Sequence, residues 1–150
     1  MIKKIDFGQL IESAGDAVIV ADPAGLIIYW NKGAQAIFGY SQSDVMGKTL
    51  DLITPKQHQK RHWEGYAKTM QTGVTRYGSS VLRVPANHQD GHSISIAFTV
   101  TLLYSDHHDI TGIAAIIRDE TSQFMENKKL KQRINELEKS MSDALGKTLN

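Results

Sequence analysis

Along the chain, the spacing of apolar and polar positions changes several times, and each change marks a structural element. Apolar residues at 5, 7, 10 and 11 predict a short amphipathic leading helix over Ile5 to Ser13. Ala17 to Ala21 is a compact apolar strand. Asp22-Pro23-Ala24-Gly25 puts Pro and Gly where a turn favours them, and leads into the aliphatic and aromatic run Leu26–Trp30. The two strands read as an antiparallel hairpin. Asn31 is a good N-cap for a short helix carrying Ala34, Ile37 and Phe38, and Gly39 can end that helix in the left-handed conformation. Ser41, with Asp44 three residues on, resembles a capping box for a second short helix that stops at Gly47. Thr54-Pro55-Lys56-Gln57 then opens a longer helix. Thr54 is its predicted cap, Pro55 its first position and Gly73 its stop.

The second half is read as strands. Val81 to Val84 comes first, with Pro85 implying an exposed edge or a bend. Gln89-Asp90-Gly91-His92 carries a hairpin signal. Beyond it, Ile94, Ile96, Phe98, Val100 and Leu102 alternate with small and hydroxyl side chains, the pattern of a half-buried strand. The polar loop 104–109 separates it from a last strand, Ile113 to Ile117, which ends at Arg118-Asp119. Past Thr121 the period changes again. Leu130, Ile134, Leu137, Met141 and Ala144 follow coiled-coil spacing, Asn127 falls on the same seam, and Gly146 is expected to end the pattern.

Composition narrows the function classes. The chain of 150 residues has 41% hydrophobic residues, enough for one domain with a short appendage. It has no cysteine, hence no disulfide framework and no thiolate metal site, which fits the cytoplasm. No apolar run is long enough to span a membrane, and the N-terminal residues carry an acid and a Gly too early for a secretory signal. A net charge of +1 argues against a nucleic-acid surface.

Residues 25–47 contain Asn31, a small-residue helix, Phe38-Gly39-Tyr40-Ser41, the acidic Asp44 and Met46-Gly47-Lys48. This stretch resembles the PAS (Per-Arnt-Sim) sensory domains, and the resemblance runs from about Ile5 to Thr121. It implies an α+β fold, with a five-stranded antiparallel sheet and helices on one face. The expected organisation is an N-terminal helix over 1–15, a core over 16–121, a coiled-coil-like signalling helix over 122–146 and a frayed end over 147–150. Asp119-Glu120-Thr121 is similar to the Asp-x-Thr signature that closes PAS cores, which makes Asp119 and Thr121 signal-transfer positions. The missing cysteine excludes the cysteinyl–flavin photochemistry of the family's light-sensing branch.

On the long helix, His58, His62 and Tyr66 are spaced i, i+4, i+8 and share a stripe. Arg61-His62 and Tyr66 resemble the corresponding helix of haem-binding PAS oxygen sensors, and by that resemblance His62 would be the proximal ligand to haem iron. The position that hydrogen-bonds bound oxygen in those sensors falls here on Leu82, with Arg83 beside it expected on the other face. Arg76 stands where a propionate partner would be. His58 and His62 have metal-ligand spacing but lack a third ligand, and His107-His108 sits in a polar loop. Ile28, Trp30, Ile37, Phe38, Leu52, Ile53, Met70, Ile96, Phe98 and Ile116 are candidates to line an apolar cavity or to fill the core completely, with Trp30 and Asn31 at the strand end nearest any cleft. Haem and a fatty acid therefore both stay open as ligands.

No activated nucleophile, acid–base pair or phosphate loop is present, so no enzyme activity is expected. The chain reads as a sensory or interaction module. It is expected to homodimerise through Phe7, Leu10 and Ile11 of the leading helix and Leu130, Ile134, Leu137 and Met141 of the last one. The downstream partner, whether a histidine kinase, a cyclic-dinucleotide enzyme or a transcription factor, is left open.

Overall fold

The computed structural model describes residues 3–75 and 80–149. The chain divides into two compact units, Met1–Asp119 and Glu120–Asn150. In the first unit the order is α1 (Phe7–Ser13), β1 (Ala17–Ala21), β2 (Ile27–Trp30), α2 (Lys32–Phe38), α3 (Gln42–Val45), a 3-10 turn (Leu50–Leu52), α4 (Lys56–Thr72), β3 (Leu82–Asn87), β4 (Ser93–Tyr104) and β5 (Ile110–Asp119). The five strands form one antiparallel sheet in the order β2-β1-β5-β4-β3. Pro85 pairs opposite Ser95 on β3, an edge strand, where a missing backbone N–H costs no ladder bond on the open side.

Local signals explain most of the elements. Asp6 caps α1 by accepting the Gln9 N–H at 3.0 Å. Ser41 and Asp44 form the capping box of α3. Gly39 and Gly73 end α2 and α4 with φ of 86° and 71°. Thr54 is a correction: it does not cap α4. Its hydroxyl donates back to the Leu50 carbonyl at 2.8 Å, closing the 3-10 turn, and Pro55 occupies the cap position without a side-chain bond. Pro at that position already fixes an extended backbone before the helix, so no cap side chain is needed to set its direction.

Asn31 ties three elements together. Its Oδ1 accepts the Ala34 N–H at 2.9 Å, capping α2, and the Val18 N–H at 2.8 Å from β1. Its Nδ2 donates to the Ile11 carbonyl at 2.8 Å and the Asp16 carbonyl at 3.1 Å, fastening α1 to the sheet. The side chain is only 1% exposed, so the protein rather than water satisfies its amide. Beside it, Trp30 and Phe38 are fully buried with ring centroids 5.6 Å apart, and the indole N–H donates to the Tyr40 carbonyl. Each such ring stabilises the fold by about 1.5–3 kcal/mol through burial.

The second unit is one helix, α5 (Thr121–Leu149). It continues past Gly146, where the spacing placed its end, because helical neighbours on both sides carry a single Gly at a cost of about 1 kcal/mol. Leu130, Ile134, Leu137 and Met141 are all exposed along it. Among the described residues no helix is long and apolar enough to cross a membrane.

Candidate functional site

The site is a cleft of about 520 Å³ between α4 and the concave face of the sheet. Side-chain bonds anchor α4 along one wall of it. Gln59 donates to the Thr54 carbonyl at 3.1 Å, and the Trp63 indole N–H donates to Asp51 Oδ1 at 2.8 Å. The Tyr66 hydroxyl donates to the Asp22 carbonyl in the β1–β2 turn. The same turn holds Gly25 at φ +89°, and the Trp63 ring lies against it so closely that a Cβ there would stand 2.3 Å from Cζ3. The Trp63 and Tyr66 bonds fix α4 to the Leu50–Leu52 turn and to the β1–β2 turn.

Apolar side chains line most of the cleft. Ile19 and Ala21 come from β1, Leu82 and Ala86 from β3, Ile96, Phe98 and Val100 from β4, and Ile113, Ala115 and Ile117 from β5. Thus the core is not completely filled by side chains on this side. His58, Arg61 and Arg83 are exposed and also border the cleft. Arg83, exposed and one residue out of phase with Leu82 on β3, borders the cleft at this edge strand.

His62 is the buried polar group of this wall. Its ring packs edge-on against Trp63, with centroids 5.1 Å apart, and lies 6.0 Å from Tyr66. Its Nδ1 is buried and has no hydrogen-bond partner. Burial holds the imidazole below the ordinary histidine range, partly opposed by the Asp51 carboxylate, so the ring is neutral near pH 7. Burial, with Asp22 adding to it, pushes the Tyr66 phenol up to about 12. The wall thus offers a neutral imidazole and a protonated phenol whose hydroxyl is already committed to a backbone carbonyl.

The structure brings His62, Tyr66, Leu82, Ile96 and Phe98 together around one cleft. It does not bring Trp30 and Asn31 there. Both are buried in the packing layer behind, where every polar atom of Asn31 is used for scaffolding. Arg76 lies outside the described residues. Of the wider apolar set only Ile53, Ile96 and Phe98 line the cleft. Ile28 and Ile116 are exposed instead. Strand side chains alternate, so Ile117, not Ile116, points inward, and Ile28 falls at the β-bulge that shifts register between β1 and β2. The contact between Gly25 and Trp63 was not foreseen, because no local pattern links residues so far apart in sequence.

A five-stranded antiparallel sheet with helices about an apolar cleft is an α+β arrangement of the PAS kind. The sequence profile of the PAS fold matches residues 6–119, and the chain belongs to that family. It is 34% identical over 92 residues to an uncharacterised protein of Azorhizobium caulinodans, covering 61% of this chain. It is 23% identical to the sensor protein FixL of Bradyrhizobium diazoefficiens and 24% identical to the cell-division control histidine kinase PdhS of Brucella anthropi, each over 89% of this chain. The chain spans only 12%, 25% and 12% of the lengths of those three relatives, respectively. Among solved structures, a PAS domain from Colwellia psychrerythraea superposes with a TM-score of 0.68 at 23% identity, covering 77% of this chain and 95% of that one. An RNA-binding Light-Oxygen-Voltage receptor superposes with a TM-score of 0.70 at 16% identity, covering 86% of this chain and 36% of that one. At these identities the superpositions speak to fold alone.

Proposed function

We propose that this chain is a cytoplasmic, non-enzymatic, dimeric PAS sensory module that binds a small apolar acid in the cleft and reports its occupancy through α5. The carrying observation is the apolar cleft of about 520 Å³ with the unpartnered Nδ1 of His62 in its wall. A ligand with an apolar body and one carboxyl group suits it. The body replaces water on the strands, and the acid pairs with His62 or with the cations Arg61 and Arg83 at the border. The route outward follows the chain. Ile113, Ala115 and Ile117 of β5 line the cleft, and a single residue, Glu120, separates the end of β5 at Asp119 from the start of α5 at Thr121. A ligand that favours one packing of α4 on the sheet shifts β5, provided the alternatives differ by only a few kcal/mol. Exposed Phe7, Leu10 and Ile11 on α1 and the apolar stripe of α5 support assembly with a second copy, and a downstream signalling protein would read the helix pair.

A second reading is haem, favoured by the His62 imidazole in the wall of an apolar cleft. His62 would hold the iron and Arg61 could face a propionate; the group would supply gas or redox responsiveness when bound. Leu82 offers no hydrogen bond to a gas on that wall.

Protein purified from haem-supplemented cells, examined by visible absorption and by native mass spectrometry, tests both readings. A bound aliphatic acid that is lost from Leu82→Trp supports the first. A Soret band that is lost from His62→Ala supports the second. No bound molecule, and no thermal shift with either fatty acids or haem, overturns both. A monomer in sedimentation at high micromolar concentration overturns the dimer.

A further inference from the structure

The hairpin between β3 and β4 carries a cluster that the cleft does not use. His88, Asp90 and His92 each present a ligand atom, and these atoms all lie within 4.8 Å of one another. Among the described residues it is the one group of three such side chains so placed; neither His58 with His62 nor His107 with His108 gains a third member.

Backbone bonds fix the arrangement. The His88 N–H donates to the His92 carbonyl and the Gly91 N–H to the His88 carbonyl, both at 2.9 Å, with Gly91 at φ +95° in the tight turn. This turn lays the two imidazoles over each other, centroids 4.5 Å apart and planes 23° apart. The hairpin is itself held to the body, since the Gln89 N–H donates to the Phe38 carbonyl and the Asn87 N–H to the Ile53 carbonyl. The His88 ring packs on Gly39, where a Cβ would stand 2.6 Å from Cε1. His88 is therefore braced by the fold, while Asp90 and His92 are exposed, and the Asp90 carboxylate accepts the His92 backbone N–H at 3.0 Å.

The donors converge on a common space. His88 Nδ1 accepts the Asp90 N–H at 3.2 Å, so its lone pair faces the turn, and it stands 3.2 Å from Asp90 Oδ1. His92 Nδ1 contacts the same carboxylate oxygen. A ring N–H satisfies that oxygen when no ion is bound, and a cation would take its place. Two neutral imidazoles and one carboxylate suit a borderline divalent ion such as Zn²⁺, which takes nitrogen at about 2.0–2.1 Å and carboxylate oxygen at about 2.0–2.2 Å, with water completing the shell. The three donor atoms, within 4.8 Å of one another, would draw in around the ion. Ca²⁺ and Mg²⁺ prefer oxygen and are disfavoured by two nitrogen donors.

We propose that the β3–β4 hairpin is a divalent transition-metal site, with His88, Asp90 and His92 as its protein ligands. The site is independent of the cleft reading, and its failure would leave that reading intact.

The test is calorimetric titration of the tag-free full chain with Zn²⁺, with Co²⁺ as a spectroscopic probe. One ion per chain and Co²⁺ visible bands are expected. His92→Ala should weaken binding by about tenfold or more, since even lost supporting contacts around metal ligands cost on that order. His92→Gln, which retains a polar side chain in the turn, should weaken it similarly, separating ligation from loss of fold. The His107→Ala/His108→Ala double variant should bind as the parent does. No binding, binding unchanged in both His92 variants, or binding lost in the double variant would each overturn the assignment.

Discussion

Replacing Asn31 by Ala removes four hydrogen bonds at once, and their separate environments allow the loss to be worked through. The Ala34 N–H loses its helix cap, worth about 1 kcal/mol. The Val18 N–H loses its partner on a sheet strand, and a buried unsatisfied donor costs about 1–3 kcal/mol. The carbonyls of Ile11 and Asp16 lie at the edge of the body, where water can replace Nδ2, so they add less. The sum is about 3 kcal/mol, which for a domain of this size lowers Tm by on the order of 10 °C. Urea unfolding followed by far-ultraviolet circular dichroism gives the free energy, and the slope with urea should stay constant. Asn31→Asp sharpens the test. It retains both acceptor bonds but turns a carboxylate toward two carbonyl oxygens. Its folded-state pKa should therefore be raised above the unfolded value, and the variant should gain stability relative to the parent as pH falls through that raised value. The reasoning is refuted if Asn31→Ala costs less than about 1 kcal/mol, or if Asn31→Asp matches the parent at neutral pH.

Three further outcomes follow from the cleft and its anchors. Gly25→Ala forces an L side chain to φ +89° against the Trp63 ring and should cost about 2 kcal/mol; in a Trp63→Leu background the added cost should shrink, as a double-mutant cycle will show. Because the folded-state pKa of His62 is depressed, its contribution is intact above the unfolded histidine pKa and is lost as pH falls below it. The difference in stability between parent and His62→Gln should therefore narrow in acid, and a pH-independent difference would contradict the burial of that ring. Leu82→Trp should fill part of the cleft and abolish ligand uptake while leaving the fold intact by circular dichroism; undiminished uptake would place the ligand elsewhere.

Much of the architecture is written in short-range chemistry. The strand at Ala17–Ala21, the capping box at Ser41 and Asp44, the Gly39 and Gly73 stops and the edge character implied by Pro85 each depend on a few neighbouring residues, and all are present as read. Family resemblance added the single five-stranded antiparallel sheet with helices on one face. The sequence by itself could not say which residues face that cleft. Side-chain direction on a strand reverses with a shift of one residue, so Ile116 and Ile117, chemically alike, end on opposite faces once pairing sets the register. Nor could it say that Asn31, a plausible site residue at a strand end, has all its hydrogen bonds taken up by the scaffold. The placing of α4 beside the cleft depends on Trp63 and Tyr66 reaching back to the first hairpin. The convergence of His88 and His92 likewise depends on the geometry of a tight turn seated on the end of α2. Local elements answer to spacing and capping along the chain. Cavities and ligand clusters answer to contacts between distant segments, which only the folded arrangement supplies.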